Sequence, residues 1–305
     1  MQYSTFAAID IGSYDVILEI FEISKKQGIR SVDKICHRME LGKDTYTLGK
    51  IRPEMEEELC RVLADFVRIM EGYRVDDYRA TASSAISEAS NSLYVLGKIH
   101  QLTGFSVTVL SNSEQRFLSY KALAAMEDNF NKIIEKGTAI LDLDGGSFQI
   151  SLFDKDALVT TQNIRMGSLR IRERLAGIQS ETEHYEEMVE ELIWNEVSSF
   201  KKMYLKDRKI ENIMLIGDVF TDSVYQNIEE KTTKIISREN FNTWYEKIIR
   251  QSPMELAVKL GIPLENASLM YPSAVIYKCL IDMMGAEHIW IPGVHMTRGI
   301  AYEYA

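Results

Sequence analysis

Apolar residues fall along this chain in short runs of strand length, separated by longer segments in which they recur at helical spacing. Strand signals open it at residues 5–11, 16–23 and 29–41. An amphipathic helix is predicted over 53–71, with Pro53 at an N1-like position and glutamates in its first turns. Short strands near 78–82 and 105–110 then alternate with helices near 86–102 and 113–127. The second half repeats this order. Residues 138–143, 148–153 and 158–164 read as strands, 181–205 as a long helix and 213–216 as a further buried strand. Helices dominate from 238 to 284, and a short strand at 289–291 precedes a terminal helix. The acidic stretch 181–196 reads as a solvated helix face.

Strands interleaved with helices define an α/β chain. Its 305 residues suit two domains of average size. With five prolines and no Ser/Gly-rich run there is no long flexible linker, so the boundary is a tight hinge. The repeat places it between residues 127 and 128, giving domains 1–127 and 128–305, with the terminal helix packing back on the first.

The two halves share a landmark. Asp10-Ile11-Gly12-Ser13 closes the first strand, and Asp142-Leu143-Asp144-Gly145-Gly146-Ser147 closes its counterpart. Each time an apolar strand delivers an Asp to its carboxyl end, and a Gly/Ser turn folds back into a second strand. Ligands of open α/β sheets bind at such strand ends. Glycine lets backbone N–H groups approach phosphate oxygens, and an Asp can hold a metal ion directly or through water. One such turn alone is ordinarily only a turn. Two in matching places point to an actin-like, ribonuclease-H-derived fold: two ribonuclease-H-like domains with an interdomain cleft.

Composition narrows the ligand. The net charge of −10 is a poor basis for non-specific duplex DNA binding, which needs clustered Lys and Arg. It is compatible with a small phosphorylated ligand held by backbone N–H groups, a metal and a few arginines. Cys36, Cys60 and Cys279 are odd in number and lack CxxC spacing, so they read as reduced, mostly buried thiols. His37, His100, His184, His288 and His295 have no ligand spacing. The first residues, with no basic region and with Asp10 interrupting the apolar run, read as a strand and not a signal peptide. No apolar stretch approaches the roughly eighteen residues of a membrane helix. The expected location is cytoplasmic.

Motif by motif, the chain resembles the exopolyphosphatase and guanosine pentaphosphate phosphohydrolase (Ppx/GppA) family. AAIDIGSYD (7–15) is similar to the family's opening AxIDxGSNS, and TASSAISEASN (81–91) to its ATSAxRxAxN. VLSNSEQRFLSY (109–120) resembles xISGxEEARLxY, AILDLDGGSFQI (139–150) resembles xxDIGGGSTEL, and IRMGSLRIRERL (164–175) resembles LxxGxVRLTExF. The tail HMTRGIAYEYA is similar to GLREGLLYE, which ends the family's second domain, so a short two-domain form is expected. The resemblance implies Mg²⁺-dependent hydrolysis of a terminal phosphoanhydride, in inorganic polyphosphate or a guanosine polyphosphate, and a homodimer. It assigns Glu114 as the base that activates water, and Asp142, Asp10 and Asp144 to the metal. Gly12, Ser13, Gly145, Gly146 and Ser147 become phosphate-cradling residues, and Arg170 a phosphate contact. Read without the family, Glu114 is a first-turn helix glutamate, and Arg172 and Arg174 belong to a solvated face or a salt-bridge network.

The departures from the pattern gather where ligand binding is expected. Tyr14 replaces Asn as a bulky ring lining the pocket, Gln115 replaces the second acid of EE, and Ser87 replaces an Arg. Asn112 replaces a Gly, a change that tolerance of positive φ would accommodate. Asp144 replaces a Gly beside Asp142, Gln149 a Glu, and Gly217-Asp218-Val219 stands for GGT. The Arg of LREG is Thr297, with Arg298 beside it. Losing a charged partner to an anion costs about 1.5–3 kcal/mol, so polyanion affinity is expected to fall. Retention of Glu114 and Asp142 favours hydrolysis. The alternative is a catalytically degenerate member that binds an alarmone or polyphosphate as a sensor. A kinase relative is disfavoured, because the motifs follow the phosphatase branch throughout.

Overall fold

The run Phe6-Ala7-Ala8-Ile9 is buried from end to end and forms the centre of β1 (Ser4–Ile11), as expected of a strand covered on both faces. In this computed structural model, residues 3–126, 130–176, 185–206, 208–227 and 235–305 are described. The chain divides into one unit of Met1–Ala125 with His295–Ala305 and another of Met126–Val294.

In the first unit, β2 (Asp15–Ser24) and β3 (Gly28–Arg38) form an antiparallel meander with β1. Then β4 (Asp77–Ala82) adds parallel to β1, and β5 (Val107–Val109) parallel to β4, giving the order β3-β2-β1-β4-β5. Ala7, Ile9, Ile11, Val16, Leu18 and Ile20 share one core with Leu59, Leu63, Phe66 and Met70 of helix Pro53–Tyr73. That four-three-four spacing is the apolar stripe of a helix lying on a sheet, and each large side chain so buried contributes about 1.5–3 kcal/mol. The opposite face, Phe6, Ala8 and Phe21, is covered by Leu118 and by Ile300 and Ala301 of helix Met296–Tyr304. Gly299 permits that helix to approach closely, since a Cβ there would lie 2.2 Å from the Leu118 carbonyl oxygen. At the helix start, Thr297 Oγ1 donates to the buried carboxylate of Glu19 at 2.5 Å, and Ser31 Oγ at 2.7 Å.

Three local expectations are corrected. The third strand stops at Arg38 because Met39 N–H and Gly42 N–H donate to the carbonyls of Tyr14 and Ser13, drawing the chain into helix Leu41–Leu48. The helix expected over 86–102 is split into Ser84–Ser87 and Ser92–Thr103. At the break, the Asn91 amide bonds both the N–H and the carbonyl of Ile51, which competes with helix continuation. Of the cysteines only Cys60 is buried; Cys279 is half-buried and Cys36 lies exposed on the edge strand β3.

The second unit repeats the plan. An antiparallel meander of β6 (Thr138–Leu143), β7 (Phe148–Asp154) and β8 (Ala157–Ile164) is followed by β9 (Asn212–Ile216), parallel to β6. An edge strand β10 (Ile235–Ser237), absent from the expected elements, pairs with β11 (His288–Trp290), which runs parallel to β9. The order is β10-β11-β9-β6-β7-β8. Helix Leu264–Met284 is nearly all buried, so apolar residues surround it and amphipathic periodicity is lost. The helix expected over 181–205 runs as Tyr185–Phe200 and a π-helical turn Lys201–Leu205; residues 181–184, His184 included, lie outside the described residues. Both units thus have the expected α/β, ribonuclease-H-like arrangement, a meander followed by parallel strands. No helix among the described residues is long and apolar enough to cross a membrane.

Candidate functional site

Because β1, β4 and β5 run parallel, the residues that follow them collect at one edge of the first sheet. Asp10, next to last in β1, pairs with Thr81 of β4, whose Oγ1 approaches Asp10 Oδ1 at 3.4 Å. Gly12 N–H donates to the Asp15 carbonyl at 2.9 Å, which closes the turn but uses that N–H internally. Ser13 is fully buried, and its hydroxyl bonds Tyr46 Oη at 2.7 Å. Tyr46 Oη in turn meets Ser84 Oγ at 2.8 Å. The Tyr14 ring does not line an opening as expected: it is buried, with the Arg38 guanidinium 6.0 Å from its centroid and Arg38 Nη1 donating to Asp15.

Glu114 sits three residues into the lead of helix Asn112–Met126. Ser111 N–H and Oγ–H both donate to its Oε2, at 2.8 and 2.7 Å, while Glu114 N–H approaches Ser111 Oγ at 3.3 Å. This is a capping box. The two bonds from Ser111 hold the Glu114 carboxyl below its ordinary pKa. Both fall on one oxygen, and the residue is exposed. Asn112 begins the helix without positive φ, so conformational tolerance is not what admits it there.

In the second unit, β6, β9 and β11 run parallel and bring their following turns to one edge. Asp142 pairs in register with Gln149, and its Oδ1 lies where a Cβ on Gly217 would be only 2.5 Å away. Gly217 has φ +102, a conformation glycine adopts without steric penalty. Asp144 organises the glycine turn: its Oδ1 accepts from Gly145 N–H at 2.6 Å and its N–H donates to the Ser147 carbonyl at 2.9 Å. Arg170 N–H donates to Gly145 O at 2.9 Å and Arg170 Nε to Gly146 O at 2.8 Å, so this arginine braces the turn. Gly167 makes that approach possible, since a Cβ would stand 2.2 Å from Asp144 O. Ser147 Oγ accepts from Asn163, while Ser168 Oγ is buried without a partner among the described residues. Arg172 pairs with Glu173 and donates to Ser268, so of the two expectations for it, solvated face or salt-bridge network, the contacts fit the second.

Asp218 escapes sequence reasoning, which sees only a replaced glycine. It is 2% exposed, accepts Phe220 N–H at 2.8 Å as the cap of helix Val219–Asn227, and receives the Ser273 hydroxyl. Burial pushes its pKa up to about 7. A folded-state pKa above the unfolded one means the native state binds the extra proton, so this contribution to stability is lost as pH rises through about 7. Asp218→Asn is therefore expected to gain on the wild type as pH rises from 4 to 8, in urea midpoints measured across that range. A constant difference would show that Asp218 is ionised throughout.

Among the described residues no three of His, Cys, Asp and Glu are grouped to hold a metal. Mg²⁺ needs no such cage, since it takes one or two carboxylates and completes its shell with phosphate and water. Asp142 fits this chemistry, with the missing Cβ of Gly217 keeping space beside Oδ1.

Two α/β units, each closing its first strand with an Asp and a tight glycine turn, define a protein of duplicated ribonuclease-H-like plan. A model of the Ppx/GppA phosphatase family matches residues 19–305, and the chain belongs to that family. It is 21% identical over 310 residues to the bifunctional 3-dehydroquinate synthase/phosphatase of Fusobacterium nucleatum, covering 93% of this chain and 44% of that protein. Exopolyphosphatase 1 of Mycobacterium leprae is 25% identical over 144 residues, 47% of this chain and 41% of that one. The chain spans less than half the length of these curated relatives. An exopolyphosphatase from Cytophaga hutchinsonii shares the fold with a TM-score of 0.87 at 17% identity, over 99% of this chain and 97% of that one. The Aquifex aeolicus family member does so with a TM-score of 0.78 at 18% identity, over 99% and 98%.

Proposed function

We propose that this protein is a Mg²⁺-dependent phosphohydrolase that releases terminal phosphate from inorganic polyphosphate or a guanosine polyphosphate. The observation that carries the reading is the Glu114 carboxylate, fixed through Oε2 by Ser111 at the strand-end edge that also holds Asp10. An exposed carboxylate held in one orientation through Oε2 is equipped to take a proton from water. Asp142, with Asp144 two residues on, would hold Mg²⁺ in the second unit, which would supply charge neutralisation at the phosphate oxygens when bound, and Asp10 would be its metal-associated counterpart in the first. The turn at Gly145, Gly146 and Ser147 orients phosphate through its backbone, and Arg170 keeps that turn in shape. Gly12 and Ser13 shape the matching turn of the first unit.

A second reading, ligand sensing without turnover, is favoured by the same capping box, which gives Glu114 a purely structural task. The two separate in one experiment: phosphate release with Mg²⁺ from polyphosphate and from guanosine pentaphosphate. Release from either is the expected result, and the better substrate names the branch. Folded protein that releases none but binds either compound is a sensor.

A further inference from the structure

We infer that the free edge of β3 is a docking strand for an extended, acidic polypeptide segment of a partner protein. β3 is the outermost strand of its sheet and, at 11 residues, the longest edge strand among the described residues. Every second residue along it is exposed, from Gly28 to Arg38. About half of the N–H and C=O groups of such a strand point away from its one neighbour. Among the described residues, only β2 bonds the β3 backbone. The outward groups repeat donor and acceptor at the spacing of an extended chain, so the ligand they fit is another strand. A phosphate chain has no N–H row to answer the carbonyls. Val32 has no partner in β2, because the register passes from Asp33 opposite Ile20 to Ser31 opposite Phe21. This bulge leaves Asp33–Arg38 as the longer regular run for pairing.

Charge selects the partner. Residues 25–38 hold five cations and one acid in a chain of net charge −10. Arg30 and Arg38 are paired with Glu22 and Asp15 of β2, and Asp33 accepts the Tyr73 hydroxyl. Lys25, Lys26 and Lys34 make no ion pair among the described residues. Lys34 lies within the regular run, and Lys25 and Lys26 stand in the turn 25–27 that leads into β3. Lysines along an edge ordinarily guard it against indiscriminate pairing. The same charges admit an acidic strand, whose carboxylates gain from neighbouring cations. A second copy of β3 would bring the same lysines together, and like charges on facing strands repel. The edge therefore excludes its own kind and favours the opposite sign.

The test follows amide hydrogen exchange of the full chain with three capped peptides: alternating glutamate and valine, the same peptide N-methylated throughout, and alternating lysine and valine. N-methylation keeps the charge and removes the backbone donors. The glutamate peptide is expected to slow exchange at outward amides of Asp33–Arg38. The N-methylated peptide should bind about tenfold more weakly, and the lysine peptide should leave the segment unprotected. Lys34→Glu, with an unchanged thermal unfolding transition, should bind the glutamate peptide about fivefold more weakly. No protection of β3 by the glutamate peptide overturns the docking strand, whatever the variant does. Equal affinity for the parent and N-methylated peptides overturns it too, since charge alone would then account for the contact. Protection of the same amides that grows with protein concentration, without peptide, makes the partner a second copy and overturns the acidic one.

Discussion

Glu114→Gln is expected to lower turnover by about 10²–10⁴-fold, the usual contribution of a positioned general base, while ligand affinity stays within a few-fold. The substitution separates the two tasks of the residue. Glutamine at the third position of a helix also completes a capping box with the serine three residues before it, so the fold and the helix start should survive. The proton-accepting capacity is lost. The bonds from Ser111 lower the Glu114 pKa, so the base form is present above the ordinary carboxylate range and disappears only as pH falls below it. The acid limb of the wild-type turnover profile is therefore expected below that of an unperturbed glutamate. Single-turnover measurements of both proteins across pH check both statements. A folded variant with undiminished turnover would move the base to another residue.

Gly217→Ala is expected to damage stability and site together. The alanine must adopt φ +102, and its Cβ would stand 2.5 Å from Asp142 Oδ1 and 2.6 Å from the Leu143 carbonyl oxygen. Backbone strain of this kind costs about 1–3 kcal/mol, and overpacking adds about 1–3 kcal/mol. Relief by backbone movement would displace the Asp142 carboxylate. Urea unfolding should show a clearly lowered midpoint, and the Mg²⁺ concentration for half-maximal turnover should rise. An alanine variant with wild-type midpoint and metal response would show that the turn yields at little cost and does not govern Asp142.

The strand-turn-strand pairs are legible in the sequence because β1 and β6 are covered on both faces and read as unbroken apolar runs that end in Asp and glycine. Helix Pro53–Tyr73 is legible for the opposite reason, since one wet face gives it a clean stripe. What stays hidden depends on contacts distant in sequence. Tyr46 lies close after a segment that reads as a continuing strand, and only its bonds to Ser13 and Ser84 reveal a role. Asp218 looks like a lost glycine until Ser273 is seen beside it. Arg170 reads as a phosphate contact, and its bonds to the turn carbonyls appear only in the folded chain. Glu114 is a middle case: Ser-x-x-Glu is readable as a cap and the family motif as a base, and the structure displays the cap.

The cover of Phe6, Ala8 and Phe21 by Ile300 and Ala301 has a consequence for synthesis. A ribosome makes the first sheet early, but the helix that shields this face emerges only after the whole second unit. At about 5–20 residues per second, that delay is on the order of ten seconds or more. For that time a nascent chain carries an aromatic sheet face covered only in part, by Leu110 and Leu118, a natural docking point for a holdase and a natural start for aggregation. Completion of the first unit then waits on synthesis of the second.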